Sequence, residues 1–268
     1  MTLISIAAGV SPGVAPPDFI AAAAGAGWPA CGVWVDPDSW SDQTTREVRQ
    51  RLDDTGLVAL DIEPVFITPG PSGRPADVVD HGARVIDIAA EIGARNMLIV
   101  ARGVGAAPFT ERFAELCDLA APHGINCVVE FMDFMSTRTL DAALDVVTTA
   151  ARTNGGVLID NLHLARTGGQ PADVAALDSA LVPYVQLCDA AAHPIGTLVE
   201  EALDQRLAPG FGELPVAEFL AALAPDTPLS MEVRSAALRR DHPDPVERAR
   251  RLFQETSRFL SSLDPSGH

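Results

Sequence analysis

Four polar side chains stand at the ends of four apolar, strand-like runs in the second half of the chain. They are Glu130 after Ile125-Asn-Cys-Val-Val, Asp160 after Val157-Leu-Ile, Gln186 after Tyr184-Val, and Glu232 after Leu229-Ser-Met. Burying an acid at a strand end is costly unless something pairs with it. For any one of these residues alone, a buried ion pair or a polar layer-filler is the simpler reading. Four together, three of them acids, point to one shared partner: a divalent cation held by three carboxylates and an amide oxygen. An all-oxygen set is hard and favours Mg²⁺ or Mn²⁺; Co²⁺ and Zn²⁺ are the softer alternatives.

Further residues gather near these four in sequence. His163 follows Asp160 by three positions, where a neutral imidazole could ligate the ion or hydrogen-bond a substrate oxygen. Arg206 opens the segment Arg206-Leu-Ala-Pro-Gly-Phe-Gly-Glu213 and could fork onto a substrate oxygen. Arg234 lies two positions past Glu232, on the same facing parity, with Arg102 a weaker equivalent at the end of the fourth run. Trp34, Phe66, Met132 and Phe134 could form an apolar wall against a sugar-like or cyclic substrate. The roles of Glu63, Asp189 and His193 stay open at this level.

Residues so far apart in sequence need a frame that brings strand ends together. Short apolar runs alternate with longer helical patterns from end to end. The strand candidates are Ile4–Ala8, Gly32–Val35, Val58–Ile62, Asn96–Ala101, Asn126–Glu130, Gly156–Asp160, Tyr184–Leu187 and Leu229–Val233. Their near-continuous apolar character is that of buried parallel strands. The helix candidates are Asp18–Gly27, Thr44–Asp54, Ala76–Ile92, Thr110–His123, Thr139–Arg152, Ala172–Leu181, Val216–Leu223 and Pro245–Leu263. Thr68–Pro75 reads as a loop, Ala191–Gly212 as the longest irregular connection, and Asp264–His268 as a frayed tail. An eightfold strand–helix alternation over 268 residues predicts one domain spanning 1–268, an α/β fold closed as a (β/α)8 TIM barrel. The competing open sheet usually carries a glycine-rich phosphate turn after its first strand, and Ala8-Gly9-Val10-Ser11-Pro12 is not one. In a closed barrel the site sits at the carboxyl ends of the strands, where all four polar residues fall.

Composition narrows the partners. A formal net charge of −17 argues against a nucleic-acid partner. The four cysteines form no CxxC pair and read as small buried thiols rather than a disulfide framework. No apolar run approaches a membrane span, and the first residues lack the basic start of a signal peptide, so a cytoplasmic protein is expected. Exposed helix faces leave homo-oligomer formation open.

The chain resembles the xylose isomerase-like TIM-barrel superfamily, especially its sugar phosphate isomerase/epimerase group. The segments that carry the resemblance are Val129-Glu130-Phe131, Leu158-Ile-Asp-Asn-Leu-His163, Val185-Gln-Leu-Cys-Asp189, Arg206–Glu213 and Met231-Glu-Val233. It implies that Glu130, Asp160, Gln186 and Glu232 bind one divalent metal, and that Glu130 and Glu232 act as an acid/base pair. It implies that His163 and Arg206 contact substrate oxygens. Many members carry His where this chain has Gln186, which leaves the metal preference and the branch open. The expected activity is a metal-dependent isomerase or epimerase that transfers a proton next to the carbonyl of a small polyhydroxy or keto substrate. The alternatives are a dehydratase acting on a cyclic hydroxyketone and a non-catalytic barrel that binds a metabolite. The histidine-rich three-zinc cluster of the superfamily's nucleases has no counterpart in the second and third strands.

Overall fold

The computed structural model describes residues 2–36, 38–69 and 78–263. Eight parallel strands close into a barrel: β1 (Ile4–Ile6), β2 (Ala30–Trp34), β3 (Val58–Ile67), β4 (Asn96–Ala101), β5 (Asn126–Glu130), β6 (Gly155–Asp160), β7 (Val185–Leu187) and β8 (Leu229–Met231). Each strand pairs with its successor in sequence, and β8 closes on β1 through Ile4↔Leu229 and Ile6↔Met231. The expected (β/α)8 barrel is the observed one.

Two apolar layers hold it together. Between strands and helices lies the main core, which includes Ile6, Phe113, Val129, Ile159 and Met231. Inside the barrel a second cluster joins Ala30, Leu60, Leu98, Val128, Leu158 and Tyr184. Alternation along each strand divides the residues between these layers. Val129 and Ile159 face outward to the helices, so Glu130 and Asp160 face inward at the barrel's mouth.

Strand β3 runs to Ile67, five residues beyond the expected end at Ile62. Its register shifts against β2 at Cys31/Gly32 and against β4 between Ile62 and Val65. The shifts insert extra residues into one strand, which re-aims the side chains that follow. Pro64 lies in the second shift, where a missing ladder N–H is tolerated.

The helices differ from expectation in several places, among them two short helices that were not expected, Asn161–Arg166 and Ala236–Asp241. The segment read as one helix over Ala172–Leu181 is a short helix, Pro171–Ala175, followed by a 3-10 turn, Ser179–Leu181. The connection read as irregular over Ala191–Gly212 contains the helix Leu198–Asp204. That helix starts with a capping box, in which Thr197 accepts from the Glu200 N–H and Glu200 accepts from the Thr197 N–H. Most of the Thr68–Pro75 loop, the first two residues of the Ala76–Ile92 helix and the Asp264–His268 tail lie outside the described residues. All four cysteines are buried and unpaired. Among the described residues no helix is long and apolar enough to cross a membrane.

Candidate active site

The ends of β5 to β8 are four neighbours on one wall of the barrel, and they bring the acids together. Asp160 and Gln186 are register partners across β6 and β7, and Gln186 stands opposite Ser230 of β8. Glu130, Asp160 and His163 each present a ligand atom, and these atoms lie within 4.8 Å of one another. Glu232 follows β8, with its main-chain N–H donating to the Leu187 carbonyl at 3.0 Å.

Arg206 ties this group together. It is only 2% exposed, far below what a lone surface arginine would show. Its Nη1 donates to Asp160 Oδ2 at 2.5 Å and lies 3.1 Å from Glu232 Oε2. Its Nε donates to the Ala202 carbonyl at 2.8 Å, which fixes the guanidinium against the helix Leu198–Asp204. Burial alone would lower the arginine's pKa, but Asp160 and Glu232 outweigh it and hold the group well above its ordinary value. Burial alone would raise Asp160, but Arg206 and His163 pull it below the usual carboxylate range.

His163 is neutral at physiological pH. Burial pushes its pKa down to about 4, with Arg206 adding to the effect and Asp160 opposing it. Arg206 Nη2 stands 3.4 Å from His163 Nε2, and a guanidinium can only donate, so Nε2 is the acceptor and Nδ1 carries the proton. The same Nε2 is 3.9 Å from Glu130 Oε1. His163 is thereby part of the acid group itself rather than a loop histidine beside it.

The local sequence explains why these side chains hold still. Asp160 Oδ1 caps the helix Asn161–Arg166, accepting from Leu162 N at 2.7 Å and His163 N at 3.3 Å. Asn161 clasps the end of β7: its amide donates to the Cys188 carbonyl and accepts from the Cys188 N–H, both at 2.8 Å. Arg166 pairs with Glu201 through 2.8 and 2.7 Å bonds, joining that helix to the one that supports Arg206.

Asp189, whose role was open, organises the Arg206–Glu213 segment. It accepts main-chain N–H bonds from Ala190, Gly210, Gly212 and Leu214 at 2.8–3.1 Å. A Cβ on Gly212 would stand 2.3 Å from the Ala190 carbonyl oxygen and 2.4 Å from Asp189 Oδ1, so no side chain fits there. The second glycine of Pro-Gly-Phe-Gly is thus demanded by close approach of backbone to carboxylate.

The remaining predicted residues divide into two groups. Trp34, Phe66, Arg234 and Arg102 line the same cavity as Glu130, His163, Arg206 and Glu232, with a volume of about 440 Å³. Trp34 is 41% exposed at the mouth, so it is not barrel core. Met132 and Phe134 complete the apolar wall, and Phe134 meets the His163 ring edge-on at 5.7 Å between centroids. His193 is exposed and does not line this cavity. Glu63 pairs through its backbone with Trp34.

One buried acid was not singled out from sequence. Asp61 lies within β3, wholly buried, and among the described residues neither of its carboxylate oxygens has a hydrogen-bond partner. Its pKa is pushed up to about 7, by burial first and also by the charge of Glu232, against a lowering influence from Tyr184. The register shift beside it pairs Asp61 with Gly32 and Asn96. The signal was present: an acid inside an apolar run, followed three residues later by an in-strand proline.

The donor set suits a divalent cation. Gln186 is fully buried, and among the described residues neither its amide oxygen nor its amide nitrogen has a hydrogen-bond partner. An orphaned buried amide costs about 1–3 kcal/mol, and a ligated ion would remove the oxygen's share of that cost. Among the described residues, the three buried acids Glu130, Asp160 and Glu232 face one buried arginine, Arg206, and a neutral histidine, a surplus of two negative formal charges. Buried charge is tolerated when paired or metal-bound.

The chain is similar to several known proteins. A 3-dehydroshikimate dehydratase of Pseudomonas aeruginosa is 26% identical over 265 residues, which is 93% of this chain and 42% of that protein. An inosose isomerase of Bacillus velezensis is 30% identical over 115 residues, covering 42% of this chain and 40% of that protein. The matched stretches thus span about two-fifths of the length of these curated relatives. The crystal structure of an IolI protein with a zinc atom superposes with a TM-score of 0.79 at 16% identity, covering 98% of both chains. That likeness is one of fold. The model of the xylose isomerase-like TIM barrel family matches residues 20–261, and the chain belongs to that family.

Proposed function

We propose that this chain is a divalent-metal-dependent enzyme that moves a proton at the carbon next to a carbonyl of a polyhydroxy or hydroxy-keto substrate. The observation that carries this reading is the charge of the buried group: three acids against one arginine, beside an unpartnered glutamine amide. Glu130, Asp160, Gln186 and Glu232 would hold the ion. When bound, it would polarise a carbonyl and stabilise negative charge developing on its oxygen.

The proton work falls to Glu130 and Glu232. They stand at the ends of β5 and β8, three strands apart on the barrel wall, so a substrate between them meets a carboxylate from each side. One removes the α-proton; the other returns a proton at the same carbon or at its neighbour. His163, neutral and held by Arg206, hydrogen-bonds a substrate oxygen. Arg206 keeps Asp160 and Glu232 in place and compensates one of their charges. The apolar wall of Trp34, Phe66, Met132 and Phe134 keeps water from the reacting atoms, which strengthens every polar interaction inside.

Reprotonation at carbon makes the enzyme an isomerase or epimerase. A dehydratase results if the electron pair left by the α-proton forms a C=C bond and expels a β-hydroxyl, which the second carboxyl protonates to water. The dehydratase reading is favoured by one observation: the dehydroshikimate dehydratase aligns along 93% of this chain, whereas the inosose isomerase aligns along 42%.

Deuterium exchange from D₂O tests the proposal, read by proton NMR on cyclic polyhydroxyketones with Mg²⁺ or Mn²⁺ present. Exchange at the α-carbon is expected, and Glu130→Gln and Glu232→Gln should each slow it about 10²–10⁴-fold. A Glu232→Gln protein that retains its metal and exchanges at the wild-type rate would overturn the acid/base assignment. No exchange with any substrate would leave a metabolite-binding barrel as the better reading.

A further inference from the structure

The cavity carries charge of both signs: Arg206 sits among the buried acids, Arg234 flanks Gly9 together with Glu232, and Arg102 stands on Phe66. The buried group of Glu130, Asp160, Glu232 and Arg206 has two negative charges in excess, which one divalent ion offsets. The rim of the same cavity carries Arg102 and Arg234, and among the described residues neither forms an ion pair with an acid. With the inner charge balanced, the rim is left with two positive charges.

Both arginines are arranged rather than loose. Arg102 follows β4, and its guanidinium carbon lies 4.0 Å from the centroid of the Phe66 ring. Stacking occupies the flat face of the guanidinium and leaves its N–H edges for a planar acceptor. Arg234 follows β8, on the opposite side of the barrel, and packs against the backbone at Gly9. A Cβ at that position would stand 3.2 Å from Arg234 Cδ and from Glu232 Oε1, and 3.3 Å from Arg234 Nη1. The Arg234 Nε is buried, and among the described residues it has no hydrogen-bond partner. Apolar Val100, Met132 and Phe134 line the cavity beside them.

We infer that the substrate is an acid: its carboxylate binds Arg102, with Arg234 supplying the second positive charge at the mouth, and neutral sugars are discriminated against. This inference rests on the metal-dependent reading above, because without the inner ion the charges of the described residues around the cavity sum to zero. The planar fork of a stacked guanidinium engages oxyanions bidentately, carboxylate and phosphate alike, and competition by phosphate tells the two apart. A neutral polyol would leave both rim charges uncompensated, and discrimination of this kind comes from what the wrong ligand leaves unpaired.

The test compares two cyclohexane polyols that differ in one carboxylate, quinate and myo-inositol. Each is titrated calorimetrically into the Mg²⁺-loaded full chain, with inorganic phosphate as a competitor. Quinate should bind at least about tenfold more tightly than myo-inositol. Arg102→Gln should reduce that ratio to within about threefold, and Arg102→Lys should restore only part of it, because the charge returns without the planar fork. Equal affinities, failure of quinate to bind, displacement of quinate by equimolar phosphate, or a ratio that survives Arg102→Gln would each overturn the inference. The proton-exchange experiment fails independently: a quinate preference in a protein that exchanges no α-proton would keep the carboxylate subsite and refute the acid/base reading.

Discussion

The two halves of the barrel wall are built differently. From β5 to β8 the strands are short or end abruptly in polar side chains, and ionic and amide bonds tie their loops together. Asp160 caps the helix that follows it, Asn161 clasps Cys188, Asp189 gathers four main-chain N–H groups, and Arg206 joins Asp160 to Glu232. From β1 to β4 the mouth is shaped mainly by apolar surface and by irregular register. There β3 runs for ten residues with two shifts, and it presents Phe66 under Arg102. The contrast shows a division of labour: one half gathers the buried charge, and the other supplies apolar shape and, through Phe66, the seat of the rim arginine Arg102.

The sharpest way to break this division is to remove Arg206. Arg206→Met keeps much of the packing volume but strands Asp160 and Glu232 as buried like charges. In metal-free protein the cost should be about 3–5 kcal/mol, read from urea or thermal unfolding. Added Mn²⁺ should recover part of that loss, because an ion can take over the neutralising role. Unchanged stability would mean that the ionic half does not depend on its arginine.

A smaller effect separates Asp61 from the site acids. Its folded pKa of about 7 lies above the ordinary aspartate value, so the native state holds its proton longer than the unfolded chain. Stability from this group is full below about pH 4, falls as pH rises toward about 7, and is level beyond. Asp61→Asn should remove that slope. In chelator-treated protein it should stabilise at pH 8 by a few kcal/mol, on the order of 2–4, and change little at pH 4. Denaturant midpoints across this range check it; an equal shift at both pH values would show that Asp61 is not protonated by burial.

The ionic half was largely legible in the sequence and the other half much less so. Glu130, Asp160, Gln186 and Glu232 interrupt apolar runs at their ends, and a polar residue there has few explanations. His163 followed from its spacing to Asp160, and Arg206 from its place in the long loop after the seventh strand. The β3 shifts were not legible in detail, because a bulge changes facing by one residue while leaving the apolar pattern almost intact. Reading β3 as Val58–Ile62 therefore cut the strand five residues short and passed over Asp61, although Pro64 marked an irregularity. The Leu198–Asp204 helix was missed because it is one capping box and seven residues long, too short for periodicity to show. The role of Asp189 depends on four N–H groups spread over 25 residues, which only the folded loop brings within reach.

The most direct measurement is metal content and melting temperature together, on wild type and Gln186→Leu, after dialysis against Mn²⁺ and again after chelation. Wild type should carry about one ion per chain and lose melting temperature on chelation; an ion at a hundred times its dissociation constant stabilises by about 2.7 kcal/mol. Gln186→Leu should bind the ion more weakly and lose less on chelation. No bound ion in wild type, with melting unaffected by chelator, would contradict the metal site and leave the acids as a structural network around Arg206.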